Sequence, residues 1–108
     1  MRESLRRMHQ RGGTDVFTGS VGIRVKNFYY KGNWIPQKVI TNITNTGGDI
    51  EIDHLQMAVG KEIPDDPDIY SQIYTGRTIT FRGEAIPYKT LDGRKDYTLR
   101  MLELIKVE

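Results

Sequence analysis

The sequence predicts a mainly β fold: an antiparallel β-sandwich or partly open barrel with one α-helix, placed at the C-terminal end. Three observations carry this. Eleven glycines and four prolines fall in 108 residues, a turn-rich composition. Several runs alternate apolar and polar residues with period 2, the pattern of half-buried strands. Glycine pairs and Gly-Asn steps separate those runs. The length is that of one domain, and surface scaling buries roughly two-thirds of such a chain, enough for one core.

Residues 1–13 read as a basic, flexible arm ahead of a single β-rich domain at 14–108. Leu5 and Met8 are three apart, so a short helix is possible there, but two apolar side chains are too few to dock it firmly. Residues 16–30 read as strand. Val21, Ile23 and Val25 share one parity, and the phase slips near Asn27, where Phe28 and Tyr30 take the other, as a bulge would require. Lys31-Gly32-Asn33 is turn chemistry. A second strand comes next, with Ile35, Val39, Thr41 and Ile43 on one parity, and Pro36 belongs at its start or on an edge because it cannot donate to a ladder.

Gly47-Gly48 ends that strand. Ile50 and Ile52 then alternate with acids before the phase shifts to Leu55, Met57 and Val59. Residues 60–68 form a Pro- and Asp-rich loop, and residues 69–74 a short strand or helical turn. Residues 77–86 are the clearest strand, with Ile79, Phe81 and Ala85 on one face and Gly83 among them, where another group approaches the backbone closely. The C-terminal stretch is read as helix: Met101, Leu104 and Ile105 form one stripe, Thr98, Met101, Leu102 and Ile105 another, and Asp92 or Asp96 would cap it. Tyr97, Leu99 and Met101 also alternate, so a strand is the competing reading.

Composition narrows the chemistry. With no cysteine there is no disulfide framework, thiolate metal site or cysteine nucleophile. No apolar run approaches the length of a membrane-spanning helix, and no membrane partner is expected. The net charge is +2. The arm holds Arg2, Arg6, Arg7 and Arg11 against Glu3, a net +3, so the body carries −1. That balance does not suit a dedicated duplex-DNA binder.

Catalysis is poorly supplied, and no catalytic, cofactor or metal residues are expected. His9 and His54 lie in unrelated contexts. Asp53 and His54 are neighbours on a strand and would point to opposite faces. Asp49, Glu51 and Asp53 read as a solvated strand face, and the acids of 62–68 as a surface loop without the spacing of a calcium site. No phosphate loop, nucleophile elbow or dinucleotide fingerprint occurs.

One stretch has binding character. Residues 24–38 carry Arg24, Lys26, Lys31 and Lys38 with no acid, beside Phe28, Tyr29, Tyr30 and Trp34. Arg24, Lys26, Tyr29, Tyr30, Lys31 and Trp34 are therefore the contact candidates. Their rings pack in the core or at a protein interface, or, in the alternative, they make a small β-barrel that binds single-stranded nucleic acid by stacking and phosphate pairing.

The string Gly76-Arg77-Thr78-Ile79-Thr80-Phe81-Arg82-Gly83-Glu84-Ala85-Ile86 resembles the Arg-Thr strand in the N-terminal domain of siphophage distal tail proteins. The strand around Val21, Ile23 and Val25 and the Gly47-Gly48-Asp49 step are similar to that domain's run-up, so the resemblance spans about 16–108. It implies a β-sandwich with a helix and a non-catalytic virion protein, made in the host cytoplasm and located in the phage tail. Six copies would form a ring joining the tail tube to other tail proteins. The family has no catalytic residues to carry over; Arg77 and Gly83 match by position only. The chain departs from the family in its Arg-rich arm and in stopping near the expected helix.

Overall fold

A computed structural model describes residues 2–23, 28–90 and 92–108. The chain is mainly β, as its alternation predicts. The elements in order are helix α1 (Glu3–Gln10), strands β1 (Thr14–Val21), β2 (Phe28–Tyr30), β3 (Asn33–Ile35), β4 (Gln37–Asn45) and β5 (Glu51–Ala58), helix α2 (Pro67–Tyr70), and strands β6 (Thr78–Lys89) and β7 (Lys95–Val107). Five strands form one antiparallel sheet in the order β5-β4-β1-β6-β7, and β2 and β3 pair as a separate hairpin. The sheet coils until its ends approach: beyond β5, the Glu62 carbonyl accepts a 2.7 Å hydrogen bond from the Met101 amide of β7. Of the two expected architectures, this sheet takes the partly open barrel.

β6 alternates as its sequence does. Ile79, Phe81 and Ala85 face the core, and the expected close approach at Gly83 comes from two phenyl rings. A Cβ there would lie 3.1 Å from Phe81 Cε2 and 3.3 Å from Phe17 Cδ2. Burying Phe17 and Phe81 contributes about 1.5–3 kcal/mol each. β1 carries an irregularity between Thr18 and Ser20. Gly19 sits there with its backbone pressed on β4; a Cβ would come within 2.6 Å of Ile40 Cγ2.

In β4 the buried apolar residues are Val39, Ile40 and Ile43, not the single-parity set of Ile35, Val39, Thr41 and Ile43. Asn42 has φ 51°, a left-handed conformation asparagine tolerates. That kink resets the face of both strands, so Ile40 and Ile43 point inward opposite Leu55 and Ile52. The phase shift expected within β5 is this kink. Ile23 also leaves its expected face: β1 stops at Val21 and Ile23 lies beyond it, 84% exposed.

Two further expectations are corrected. Lys95–Val107 is strand, not helix. Its pairing with β6 skips Leu102 and Ile105, two bulges. Each extra residue shifts the parity of the residues after it, so Leu99, Met101, Leu104 and Val107 pack inward. A spacing of two, three and three imitates a helical stripe. At the other terminus, the arm is docked. Leu5 and Met8 of α1 are buried in the core, and polar contacts complete the seating. The Arg2 amide donates to Asp96 Oδ1 (2.9 Å), Arg2 Nη1 to the Tyr97 carbonyl (2.7 Å), and His9 Nδ1 to the Ala85 carbonyl (3.0 Å).

Candidate interaction surface

The β2–β3 hairpin turns through Lys31 and Gly32, whose φ values are 49° and 82°. Two consecutive positive φ values in a two-residue loop give the turn whose twist matches the strands it joins. Tyr30 therefore pairs with Asn33 beside the turn, and Tyr29 with Trp34 one step down. By antiparallel alternation this second pair is the non-hydrogen-bonded kind, in which side chains approach most closely. The Tyr29 and Trp34 rings meet edge to face with centroids 5.3 Å apart. They remain 61% and 68% exposed. The hairpin stands off the five-stranded sheet, so the pair packs on itself and not on the core.

The same end of the barrel gathers other exposed apolar side chains. The Val21 amide donates to the Arg77 carbonyl (2.8 Å), and the Gly76 amide to the Val21 carbonyl (3.0 Å). These bonds bring residues 21–23 beside 74–77. Tyr74 is half exposed, and the Arg77 guanidinium lies 4.9 Å above its ring. Arg77 Nε is buried without a hydrogen-bond partner. The hairpin joins this end through β4, and the Pro36 carbonyl accepts from the Val59 amide at the end of β5 (3.0 Å). The loop that leaves β5 here and returns to β6 carries Asp65, Asp66 and Asp68, all exposed. The Asp66 carboxylate caps α2 by accepting from the Asp68 amide (3.0 Å).

Of the expected contact residues, Tyr29, Lys31 and Trp34 are brought together on this hairpin, with Lys31 exposed at its tip. Arg24, Lys26 and the side chain of Tyr30 lie outside the described residues. Ile23 and Tyr74 were missed by sequence reasoning. The signal for Ile23 was the glycine at position 22, which ends the strand before it.

Several other titratable groups are engaged elsewhere in the fold. Asp53 and His54 are both exposed and share a 3.1 Å contact, not opposite faces, because the kink at Asn42 turns both outward. Asn45 Nδ2 bridges Asp15 Oδ2 (2.9 Å) and Asp49 Oδ1 (2.6 Å), and its Oδ1 accepts from the Ile50 amide (2.9 Å). The Asn45 bond holds the Asp49 carboxyl below its usual range. Glu84 pairs with Arg100, and Arg82 with Glu103, across β6 and β7. Glu62 is buried with Oε2 unpartnered, and burial pushes its carboxyl up. Among the described residues no three His, Asp or Glu side chains are grouped to hold a metal ion.

No family model matches the sequence, and neither a curated protein nor a solved structure matches it.

Proposed function

We propose that this protein is a non-catalytic assembly module, a phage tail or tail-tip adaptor that acts as a ring of its own copies in contact with other tail proteins. The observation that carries the assembly reading is the Tyr29–Trp34 pair, set side by side by a two-residue turn and left in solvent. Tyrosine and tryptophan are the side chains that anchor protein interfaces, and this pair takes no part in the core. β5 and β7, at the two ends of the strand order, approach each other through the Met101–Glu62 bond, and neighbouring copies would cover the stretches of margin beyond it. The phage assignment rests on the resemblance of the 76–86 strand. The helix that the resemblance implies has no counterpart at Lys95–Val107, so that strand and the exposed end carry the assignment.

Light scattering across concentration tests this. Self-association, or capture of a tail protein, weakened by Trp34→Ala, is the expected result. A monomer at high concentration that binds no tail protein overturns it. The nucleic-acid reading predicts instead a monomer that binds a labelled single-stranded oligonucleotide at low salt, loses it as salt rises, and loses it on Tyr29→Ala.

A further inference from the structure

We infer that the barrel carries a pH-sensitive seam: the turn that follows β5 lifts off β7 when the Glu62 carboxyl ionises. This stands apart from the assembly reading and does not depend on it.

The seam is thin. The strand order leaves β5 and β7 with no ladder between them. Among the described residues a single hydrogen bond crosses it, from the Met101 amide to the Glu62 carbonyl (2.7 Å). On its other side the same turn is well pinned. The Lys61, Glu62 and Ile63 amides all donate to the Ala58 carbonyl (3.2, 3.0 and 3.0 Å), and the Gly60 amide donates to the Ile63 carbonyl (2.8 Å). Several bonds tie the turn to the end of β5 and one ties it to β7, so β7 is the side from which it parts first.

The residue that closes the seam also carries its weak point. Glu62 is only 9% exposed, and its Oε2 is buried without a hydrogen-bond partner. A neutral carboxyl tolerates that place, whereas a carboxylate there loses its hydration with nothing to replace it. Burial accordingly pushes the carboxyl up; the Lys61 charge and the Glu62 and Ala58 amides act against the rise without offsetting it.

Neighbouring charges leave that imbalance in place. Lys61 is exposed to solvent, and so is Asp65, a like charge further along the turn. On β7, Arg100 and Glu103 stand either side of Met101 but pair with Glu84 and Arg82 of β6. On α1, which packs against β7, Arg2 is held by Asp96 and Arg6 by Glu3, and Arg7 is exposed. Ionisation is therefore relieved by bringing the carboxylate to water. Lifting the turn does so at the loss of the Met101 bond and leaves the β6–β7 ladder whole. At pH below the ordinary carboxyl value of 4.5 the charge is absent in both forms and the seam stays shut. As pH rises through the higher value of the closed form, the open form gains.

Amide hydrogen exchange of the full chain, read by NMR from about pH 4 to about pH 7 and corrected for intrinsic rates, tests this. The Val21 amide, bonded to the Arg77 carbonyl (2.8 Å), serves as the reference away from the seam. Protection of the Met101 amide should fall about fivefold or more relative to Val21 across that range. In Glu62→Gln, whose side chain does not ionise, this relative fall should vanish. A second reading needs no variant: at neutral pH, Met101 exchange should be nearly insensitive to low urea, because lifting one turn exposes little surface. Met101 protection that tracks Val21 at every pH, that falls equally in Glu62→Gln, or that responds to urea as global unfolding does would overturn the seam.

Discussion

Phe17 and Phe81 stack across the β1–β6 ladder with centroids 5.9 Å apart and planes 27° from parallel, and Gly83 lies beneath both rings. The backbone can carry the pair only because position 83 has no side chain. Gly83→Ala would place a methyl 3.1–3.3 Å from ring carbons, and such overpacking costs about 1–3 kcal/mol. Phe81→Ala leaves a cavity and costs about 3–5 kcal/mol. Urea unfolding of the two variants should show this order; a neutral Phe81→Ala would contradict the packing described.

Asn45 is the polar counterpart. Its buried amide satisfies two carboxylates and one backbone amide at the β4–β5 turn. Asn45→Ala strands those groups and should cost about 1–3 kcal/mol. Asn45→Asp replaces the donor with a third carboxylate beside Asp15 and Asp49. Its deficit should shrink as pH falls and the cluster protonates. Thermal melts of both variants at neutral and acidic pH check the contrast.

Glu62 gives a pH dependence of definite sign. Burial raises its folded-state value above the ordinary 4.5. Below that ordinary value both states are protonated and the group is neutral to stability. As pH rises toward and through the folded value, the unfolded chain loses its proton more readily, so stability falls. Glu62→Gln removes this loss. The variant should match wild type in acid and exceed it at neutral pH, by urea titration. Equal stability at neutral pH would contradict the burial of the charge.

β7 shows where the sequence was legible and where it was not. β6 was readable because no residue interrupts its own alternation: Ile79, Phe81, Gly83 and Ala85 sit two apart. β7 holds the same kind of face, but the ladder skips Leu102 and Ile105, and pairing partners are not encoded in local periodicity. The left-handed Asn42 disturbed β4 in the same way. At the candidate surface, Lys31-Gly32-Asn33 announced the turn, but alternation names two faces without saying which one is covered. A two-stranded hairpin off the main sheet leaves the Tyr29–Trp34 face uncovered, and that depends on topology. Substitutions along β7 check its register directly. Leu99→Ala, at a buried inward position, should cost about 2–5 kcal/mol, whereas Leu102→Ser and Ile105→Ser should stay within about 0.5 kcal/mol. A helix would have placed Leu102 and Ile105 on one buried stripe, and large losses at both would restore it.

The N-terminal segment is the sharpest case of tertiary context overriding a local reading. Two apolar residues give α1 a narrow stripe, yet Leu5 is fully buried. The reason lies at the opposite end of the chain. Asp96 accepts from the Arg2 and Tyr97 amides. Burial works to raise its pKa, but those amides and the Arg2 charge outweigh it and hold the carboxyl below 3.8. The contribution of this carboxylate is present above 3.8 and fades as pH falls through that value toward the lower folded one. Leu5→Ala should cost about 2–5 kcal/mol, a loss that an undocked arm could not produce. Asp96→Asn should cost less and flatten the acid limb of the stability curve. Trypsin provides an independent readout. Arg7 and Arg11 are exposed, but cleavage requires the helix to lift, so Leu5→Ala should speed cutting there while the β domain survives. Equal cleavage in wild type and variant, with no change in the urea midpoint, would mean that α1 is not seated on β6 and β7.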